Sequence, residues 1–428
     1  MKAKGSAQRA LTGTTLGFFF GFAAVALYGP TAAKFKEAMD LTPALTGLLI
    51  AIPSLSGSLL RIPFGAWVDT TGGKKPFLIL LILSVIGLGG VTLLLSTSYP
   101  NAMKGMYGMV LFFGFLSGCG IATFSVGIGQ TSYWFPRSRQ GFALGAFGGL
   151  GNLAPGIFSL ILPIFLSYYG FISAYFAWFL FLLTGTILYA VVGVNAPYFQ
   201  YRKAGVAEID SRDKASAAGQ ELFPGGSVID SLRNSARVKN TWALVALYFT
   251  TFGGFIALTA WFPTYWNEYQ NFSPVKAGLF TAIFSILASA IRIPGGSLAD
   301  KFGGERIAFA AMAVILVASG TLSFSTTSPS CISMAILLAT GMGIANAAVF
   351  KLVPAYVPNA VGGAAGWVGG LGAFGGFVLP PVMGTIAGSL GAIGYARGFM
   401  VFVGLAIVDL VIIAILLRSK KYQPLKAQ

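Results

Sequence analysis

The feature that most constrains this chain is a series of apolar runs, each long enough to cross a lipid bilayer. A helix needs about 20 apolar residues to span the hydrocarbon core, and twelve such runs follow one another along the sequence. They lie at residues 12–33, 44–68, 76–97, 104–131, 139–166, 171–194, 241–264, 275–299, 306–326, 331–353, 361–388 and 393–417. Of the 428 residues, 56% are hydrophobic and only 9% are charged. The sequence therefore predicts an all-α membrane protein with twelve transmembrane helices.

The net charge of +16 indicates membrane orientation and not a nucleic-acid partner. If both termini are cytoplasmic, 20 of the 28 Lys and Arg residues lie on the cytoplasmic side, and five lie in the opposite loops. An excess of basic residues in cytoplasmic loops is what orients transmembrane helices. We therefore expect a multi-pass protein of the cell membrane, with both termini in the cytoplasm and no nucleic-acid partner.

One motif occurs twice, at residues 61–75 and 292–306. Both copies begin Arg-Ile-Pro, carry an Asp eight residues after the Arg, and close with a Gly-Gly pair and a basic residue. Each copy begins inside an apolar run and ends in a charged turn. The second copy follows the first by 231 positions, so the repeat predicts that two halves of the chain have matching structures.

Two glycine-rich echoes support this division. Residues 145–151 of predicted helix 5 match residues 366–372 of predicted helix 11, and a Gly-x-Gly-Ile-Ala run begins at both Gly118 and Gly341. Repeats in corresponding helices are typical of transporters built from two parallel bundles related by an axis along the membrane normal.

Three regions follow from these repeats. We predict an N-terminal six-helix bundle at residues 1–196, a cytoplasmic linker at 197–239 and a C-terminal six-helix bundle at 240–428. The linker segment is charged and rich in small residues, and we interpret it as poor in aromatic residues.

The two arginines of the motif predict an anionic substrate. Arg61 and Arg292 each lie eight residues from the helix end, or about 12 Å deeper at 1.5 Å per residue, which is near the midplane of the bilayer. A buried arginine is either functional or neutralised by an acid. Of the twelve acids only Asp409 lies well inside a predicted helix, and one acid cannot neutralise two arginines. On matching helices the pair is expected to face one central cavity, where the guanidinium fork suits nitrate, nitrite, formate and carboxylates.

The composition gives little support to the hypothesis that the chain is an enzyme. The chain has no histidine and two cysteines, and no cluster of acids or cysteines has the spacing of metal ligands. We therefore expect no catalytic residue, no metal site and no cofactor.

Both repeated motifs carry a family resemblance. The doubled Gly-x-x-x-Asp-x-x-Gly-Gly-x-Lys/Arg loop resembles the signature loop of the major facilitator superfamily. The paired Arg-Ile-Pro and the glycine-rich stretches 141–156 and 362–377 are similar to those of its nitrate/nitrite porter family. The resemblance implies the major facilitator fold and a secondary transporter of nitrate and/or nitrite that works by alternating access.

The resemblance also implies roles for particular residues. The anion would be bound by Arg61, Arg292, Asn152, Tyr248, Phe124, Phe252 and Phe22. The signature glycines would be Gly148, Gly149, Gly151, Gly369, Gly370 and Gly372, and the gate would use Asp69, Asp300, Gly65 and Gly296. The second signature has Ala373 at the position of Asn152. A solvated turn that anchors topology is the other interpretation of the loops, and Lys351 is interpreted as a side chain that snorkels to the interface.

Several alternatives stay open at this point. Within transport, the alternative is a monocarboxylate or oxalate/formate-type exchanger; outside transport, it is a transporter-like membrane sensor. The lack of a central histidine or carboxylate favours nitrate/nitrite exchange, whereas nitrate–proton symport would need protons carried by the substrate, Tyr248 or the gate aspartates. The expected partners are a small anion, the lipid bilayer and, for symport, protons, and the chain is expected to function as a monomer.

Overall fold

The structure is a computed structural model that describes residues 3–136, 139–224, 228–357 and 361–421. Within these residues helices are the only regular secondary structure, and twelve helical spans are long and apolar enough to cross a membrane. The fold class predicted from the sequence is therefore confirmed. The ends of the chain, residues 1–2 and 422–428, lie outside the described residues.

We number these spans 1 to 12, and several of them consist of more than one helical segment. The first six are Ala7–Phe22, Ala23–Ala26, Gly29–Thr31 and Ala32–Met39 (span 1); Pro43–Leu59 and Arg61–Thr71 (span 2); Lys74–Ser98 (span 3); Lys104–Met106, Tyr107–Gly118, Cys119–Ala122 and Thr123–Ser132 (span 4); Gln140–Gly151 and Ala154–Tyr169 (span 5); and Phe171–Val192 (span 6).

The last six spans show the same kind of segmentation. They are Lys239–Tyr248, Phe249–Gly253 and Gly254–Glu268 (span 7); Pro274–Ala290 and Arg292–Phe302 (span 8); Gly304–Phe324 (span 9); Ser328–Tyr356 (span 10); Val361–Ala373 and Gly375–Leu390 (span 11); and Ala392–Arg397 and Met400–Lys421 (span 12).

The chain forms two compact units. The first unit is Met1–Leu27 with Ile52–Ser231, and the second is Tyr28–Ala51 with Leu232–Gln428. The second unit therefore includes the end of span 1 and the start of span 2 as well as spans 7 to 12. The predicted boundaries at 196 and 240 stay a prediction.

The segment Tyr28–Ala51 packs closely into the second unit. A Cβ at Gly47 would lie 2.5 Å from the carbonyl oxygen of Pro380, and one at Gly29 would collide with the carbonyl oxygen of Ala260. Lys36 donates to Glu268 at 2.8 Å, in an ion pair that is about one-third exposed. Small residues allow the backbones of membrane helices to approach closely, because no side chain stands between them.

The predicted linker contains helices. Among its described residues, 197–224 and 228–239, there are three short helices, Pro197–Lys203, Glu208–Ala217 and Val228–Ala236. The first presents Tyr198, Phe199 and Tyr201, which are buried against one another and against aromatic residues at the end of span 4. The interpretation of this segment as poor in aromatic residues was wrong for its first turn, because the Tyr-Phe-Gln-Tyr run follows directly on Pro197.

Spans 2 and 4 cross closely in the first unit. A Cβ at Gly118 would collide with the carbonyl oxygen of Pro53, whereas one at Gly108, on the same helical segment, would meet nothing within 4 Å. Both glycines are helical, but only Gly108 has space for a larger side chain.

We expect Gly118→Ala to destabilise the protein and Gly108→Ala to leave it unchanged or slightly more stable. Overpacking against rigid backbone costs about 1–3 kcal/mol, while alanine is favoured over glycine in a helix by roughly 0.5–1 kcal/mol. The apparent Tm of the purified protein in detergent measures both. Equal shifts in the two variants would contradict this account of the crossing.

Candidate anion-binding site

Arg61 lies where span 2 is interrupted. The helix ends at Leu59, Leu60 has φ −71° and ψ −13°, and Arg61 begins the second segment. Pro63 explains the break, because it has no N–H to donate to the carbonyl of Leu59 and its ring crowds that carbonyl. Arg61 is 1% exposed, and its guanidinium carbon lies 5.0 Å from the centroid of the Phe124 ring. That distance is within the range of a cation–π contact.

Phe124 belongs to an aromatic cluster that covers this arginine. Its ring lies 5.9 Å from Phe147 and 5.3 Å from Phe18, and Phe18 lies 4.8 Å from Phe22. Phe22, the wall expected from the sequence, is thus linked to Phe124 through Phe18. Phe18 and Phe147 were missed from the sequence, although Phe18 is one helical turn before Phe22 and shares its face.

Asn152 lies at a second interruption in the first unit. It is 1% exposed and stands between the two segments of span 5, Gln140–Gly151 and Ala154–Tyr169. The preceding Gly151 is required by packing, because its Cβ would collide with the Phe18 ring. The other two glycines of this signature are less constrained: Gly148 would place a Cβ 3.8 Å from Phe124, and Gly149 would meet nothing within 4 Å.

The second unit repeats the arginine and its aromatic cover. Span 8 breaks at Ile291, with φ −66° and ψ −12°, and Arg292 begins the next segment, two residues before Pro294. The guanidinium carbon of Arg292 lies 4.8 Å from the Phe252 ring centroid and 5.6 Å from that of Phe255. Phe255 was not expected from the sequence.

The Arg292 guanidinium has unused hydrogen-bonding capacity. Tyr248 accepts a hydrogen bond from it, while its Nε and Nη2 are buried and find no acceptor among the described residues. No ion pair joins Arg292 to a carboxylate in the part of the chain that the structure describes. A buried cation in this condition favours the arrival of an anionic oxygen acceptor.

Tyr248 and Phe252 are brought together by a π-helical turn, Phe249–Gly253, in the middle of span 7. Their rings stack at 4.9 Å with 22° between planes. Turns of this type recur at functional sites, because they rotate side chains relative to the rest of the helix.

The second glycine signature packs on this pair. A Cβ at Gly372 would lie 2.8 Å from Cβ of Tyr248, so Gly372 supports Tyr248 as Gly151 supports Phe18. Gly369 is looser, since its Cβ would lie 3.9 Å from Phe350, and Gly370 lies between them in the segment Val361–Ala373.

The acids of the repeated loops have different partners in the two units. Tyr133 donates to Asp69 at 2.6 Å. Burial, and then the neighbouring Asp69 carboxylate, raise the pKa of the Tyr133 hydroxyl, so it stays protonated and remains a donor. Asp300 forms an ion pair of 2.6 Å with Lys351, whose Nζ also donates to the carbonyl of Ala299 at 2.8 Å. The sequence did not anticipate this partner of Lys351.

A matched pair of tyrosines holds both loops. Tyr356 donates to Glu305 at 3.0 Å. Tyr133 and Tyr356 are 223 positions apart, the same offset as Gly118 and Gly341. Each half thus ties an acid of its repeated loop to a tyrosine at the end of span 4 or span 10.

The loop glycines are specified by backbone geometry. Gly72 and Gly303, at matching positions, have φ +75° and +91°, which side chains other than glycine rarely adopt. A Cβ added at Gly65 would lie 3.2 Å from Cβ of Ser125, whereas one at Gly296 would meet nothing within 4 Å. In the second unit it is the adjacent Gly295 that packs closely, since its Cβ would lie 2.9 Å from Cα of Ile344.

Asn195, which was missed from the sequence, holds the first loop. Its side chain accepts a hydrogen bond from the N–H of Lys74 and donates one to the carbonyl of Thr71.

Comparison with known proteins shows to which family the chain belongs. The family model described as Major Facilitator Superfamily matches residues 14–380 and 267–428. A "Probable nitrate/nitrite antiporter NarK1" from Thermus thermophilus is 32% identical over 401 residues, covering 87% of this chain and 84% of that protein. A "Probable nitrate/nitrite transporter NarK2" from Mycobacterium tuberculosis is 30% identical over 84% of each chain. The chain belongs to the nitrate/nitrite porter family of the Major Facilitator Superfamily.

More distant relatives of this porter show how widely its fold is shared. The "Nitrite extrusion protein" of Bacillus subtilis is 28% identical over 93% of this chain and 92% of that protein. Among solved structures, the xylose transporter XylE from E. coli superposes with a TM-score of 0.73 at 14% identity, covering 99% of both chains. The structural likeness establishes the fold of the porter and nothing about its substrate.

We expect Tyr133→Phe to lower the stability of this porter by about 1–3 kcal/mol, because it leaves the partly buried Asp69 without its donor. The matched control is Tyr168→Phe, which removes a hydroxyl from a side chain that is 79% exposed and should change little. Apparent Tm in detergent is the measurement. A Tyr133→Phe variant as stable as the control would show that the Tyr133–Asp69 bond does not hold the loop.

Proposed function

We propose that the chain is a secondary active transporter that moves nitrate and/or nitrite across the cell membrane by alternating access. The observation that carries the proposal is the repeated half-site: in each unit a buried arginine begins a helical segment and lies against a phenylalanine ring. In the proposal, Arg61 and Arg292 are the residues of the two units that bind the anion. The names of the relatives favour nitrate and nitrite over a monocarboxylate or an oxalate/formate-type substrate.

The chemistry of the half-sites suits a small planar oxyanion. A guanidinium offers parallel N–H donors to two oxygens of a flat anion, and aromatic faces admit a thin ligand while keeping water out. Asn152 would supply a further donor from its side-chain amide, on the first unit only. Tyr248 remains the proposed hydroxyl donor, and Phe124, Phe252 and Phe22 remain the proposed walls. Phe18 lies between Phe22 and Phe124.

The repeated loops are proposed to act as gates. Asp69 and Asp300 are held by Tyr133 and Lys351, and the Asp300 side chain is 76% exposed. An exposed ion pair is worth at most about 1 kcal/mol, so it forms and breaks without a large barrier. That suits a loop that must release neighbouring helices in each transport cycle, with Gly65 and Gly296 beside it on the same segments.

The remaining parts of the proposal concern setting and partners. Both termini are placed in the cytoplasm because the basic residues concentrate on that side, and the chain is proposed to function as a monomer. No catalytic residue, metal or cofactor is assigned. Protons are partners only if the cycle is nitrate–proton symport, and nitrite or nitrate is the counter-substrate if it is exchange.

The proposal predicts that Arg61→Lys and Arg292→Lys each abolish nitrate transport without unfolding the protein. Lysine keeps the charge but loses the planar fork that matches two oxygens, so we expect a fall of at least tenfold in uptake. The assay is uptake of labelled nitrate into proteoliposomes of the purified chain, with Arg212→Lys in the 208–217 helix, 45% exposed, as matched control. Near-normal uptake by either variant would remove the paired-arginine site.

The same vesicles separate the two modes of coupling. They would be loaded with nitrite or left empty, with and without an inward proton gradient. Uptake only into nitrite-loaded vesicles supports exchange, and uptake into empty vesicles driven by the gradient supports symport. No nitrate movement under any condition would overturn the substrate.

A further inference from the structure

One buried acid has no role in the site described above. Asp409 lies on span 12, in the segment Met400–Lys421, nine residues from its start and twelve from its end, or about 14 Å and 18 Å at 1.5 Å per residue. Its side chain is 2% exposed, and its Oδ2 is buried without a hydrogen-bond partner among the described residues. An unpaired carboxylate in such a place carries a large free-energy cost, whereas a protonated carboxyl does not.

The residue facing Asp409 belongs to the π-helical turn of the candidate site. Span 12 packs against this turn. Thr250, fully buried on the turn Phe249–Gly253, lies close enough to the Asp409 carboxyl to act on it electrostatically, and neither Thr250 Oγ1 nor Asp409 Oδ2 has a hydrogen-bond partner among the described residues. A second contact fixes the register of the two helices, because a Cβ at Gly254 would lie 2.6 Å from the Phe402 ring. Span 12 therefore runs antiparallel along the back of the turn, with Phe402 beside Gly254 and Asp409 beside Thr250.

The front of the same turn faces Arg292. Tyr248 and Phe252 each lie two residues from Thr250, which places them on the opposite side of the helix. Tyr248 bonds to the Arg292 guanidinium, and Phe252 lies 4.8 Å from it. One helical turn, Phe249–Gly253, therefore separates the buried Asp409 carboxyl from the buried Arg292 guanidinium, which is the proposed anion-binding group.

The other charged and titratable groups near Asp409 lie at helix ends. Span 9 carries Glu305 and Arg306 in its first turn, span 7 carries Lys239 at its first residue and Tyr248 on the face toward Arg292, and span 12 itself carries Arg418 nine residues later. None of these cations forms an ion pair with Asp409 among the described residues. The acid therefore has no local cation to keep it ionised.

We propose that Asp409 is a proton-binding site coupled, through Thr250 and the π-helical turn, to anion binding at Arg292. The proton forms an O–H bond with Oδ2, which changes the charge behind the turn from negative to neutral and turns an acceptor into a donor. A negative charge there opposes an anion at Arg292, so protonation favours the anion and the anion favours protonation. This inference rests on the proposed function and names a titratable group for its coupling to protons.

The first test measures nitrate affinity of the purified full-length chain in nanodiscs at mildly acidic and mildly alkaline pH. In the wild type, affinity should fall by about 5- to 150-fold on going to alkaline pH, the usual range of coupling between two sites. Asp409→Asn imitates the neutral acid and should keep the high affinity at both pH values. Asp213→Asn, at an exposed acid of the 208–217 helix, should behave as the wild type. Retention of the full pH dependence by Asp409→Asn would overturn the proposal.

The second test observes the proton itself and does not depend on nitrate. An infrared difference spectrum between the two pH values should contain the C=O band of a protonated carboxyl, which disappears in Asp409→Asn and shifts in Thr250→Val. If Asp409→Asn fails to fold, isotope labelling of aspartate in the wild type and in Thr250→Val still decides, and an unshifted band in Thr250→Val overturns the link. If the wild type binds no nitrate, the proposed substrate fails, while the infrared band still tests the proton site.

Discussion

The cost of placing a guanidinium inside a membrane is the constraint on which the rest of both units depends. Arg61 and Arg292 lie within transmembrane spans, where a charge has neither bulk water nor, for Arg292, a paired carboxylate among the described residues. The protein moderates this cost with aromatic faces, at 5.0 Å for Phe124 and 4.8 Å for Phe252. Cation–π contacts offset only part of the desolvation of a charge. In the proposed function an anion supplies the remainder, so that the proposed binding site would also meet a stability requirement.

Irregular backbone gathers at the level of these arginines. Proline breaks spans 2 and 8 just before them, a 3₁₀ turn precedes Phe124, a π-helical turn carries Phe252, and span 5 is interrupted at Asn152. Non-helical backbone inside a membrane is tolerated where it is enclosed by protein or lines a cavity. The interruptions are therefore consistent with one functional region in each unit. In each region a glycine packs closely against an aromatic side chain, Gly151 against Phe18 and Gly372 against Tyr248.

Which of these features the sequence could predict depends on how each is encoded. Arg61 and Arg292 were recognisable because they repeat and because charge is rare in apolar runs. Phe18, Phe147 and Phe255 were not, since they are three of 37 phenylalanines and only packing distinguishes them. The π-helical turn has no composition signal, and the Tyr133–Asp69 and Lys351–Asp300 contacts join residues more than 50 positions apart. The assignment of Asp69 and Asp300 to a gate still comes from the resemblance alone.

The strengths of the interactions also suggest which step controls the cycle. The ion pair of Lys351 with Asp300 is largely exposed and contributes at most about 1 kcal/mol, whereas leaving a buried guanidinium without acceptors costs several times more. A conformational change with an empty site must carry that uncompensated charge through the transition, while a change with the anion bound does not. On this reasoning the loops permit movement and the anion decides whether it occurs. If Asp409 keeps one charge state throughout the cycle, this requirement for a bound anion favours exchange. If Asp409 gains or loses a proton during the cycle, the same requirement allows coupling to protons.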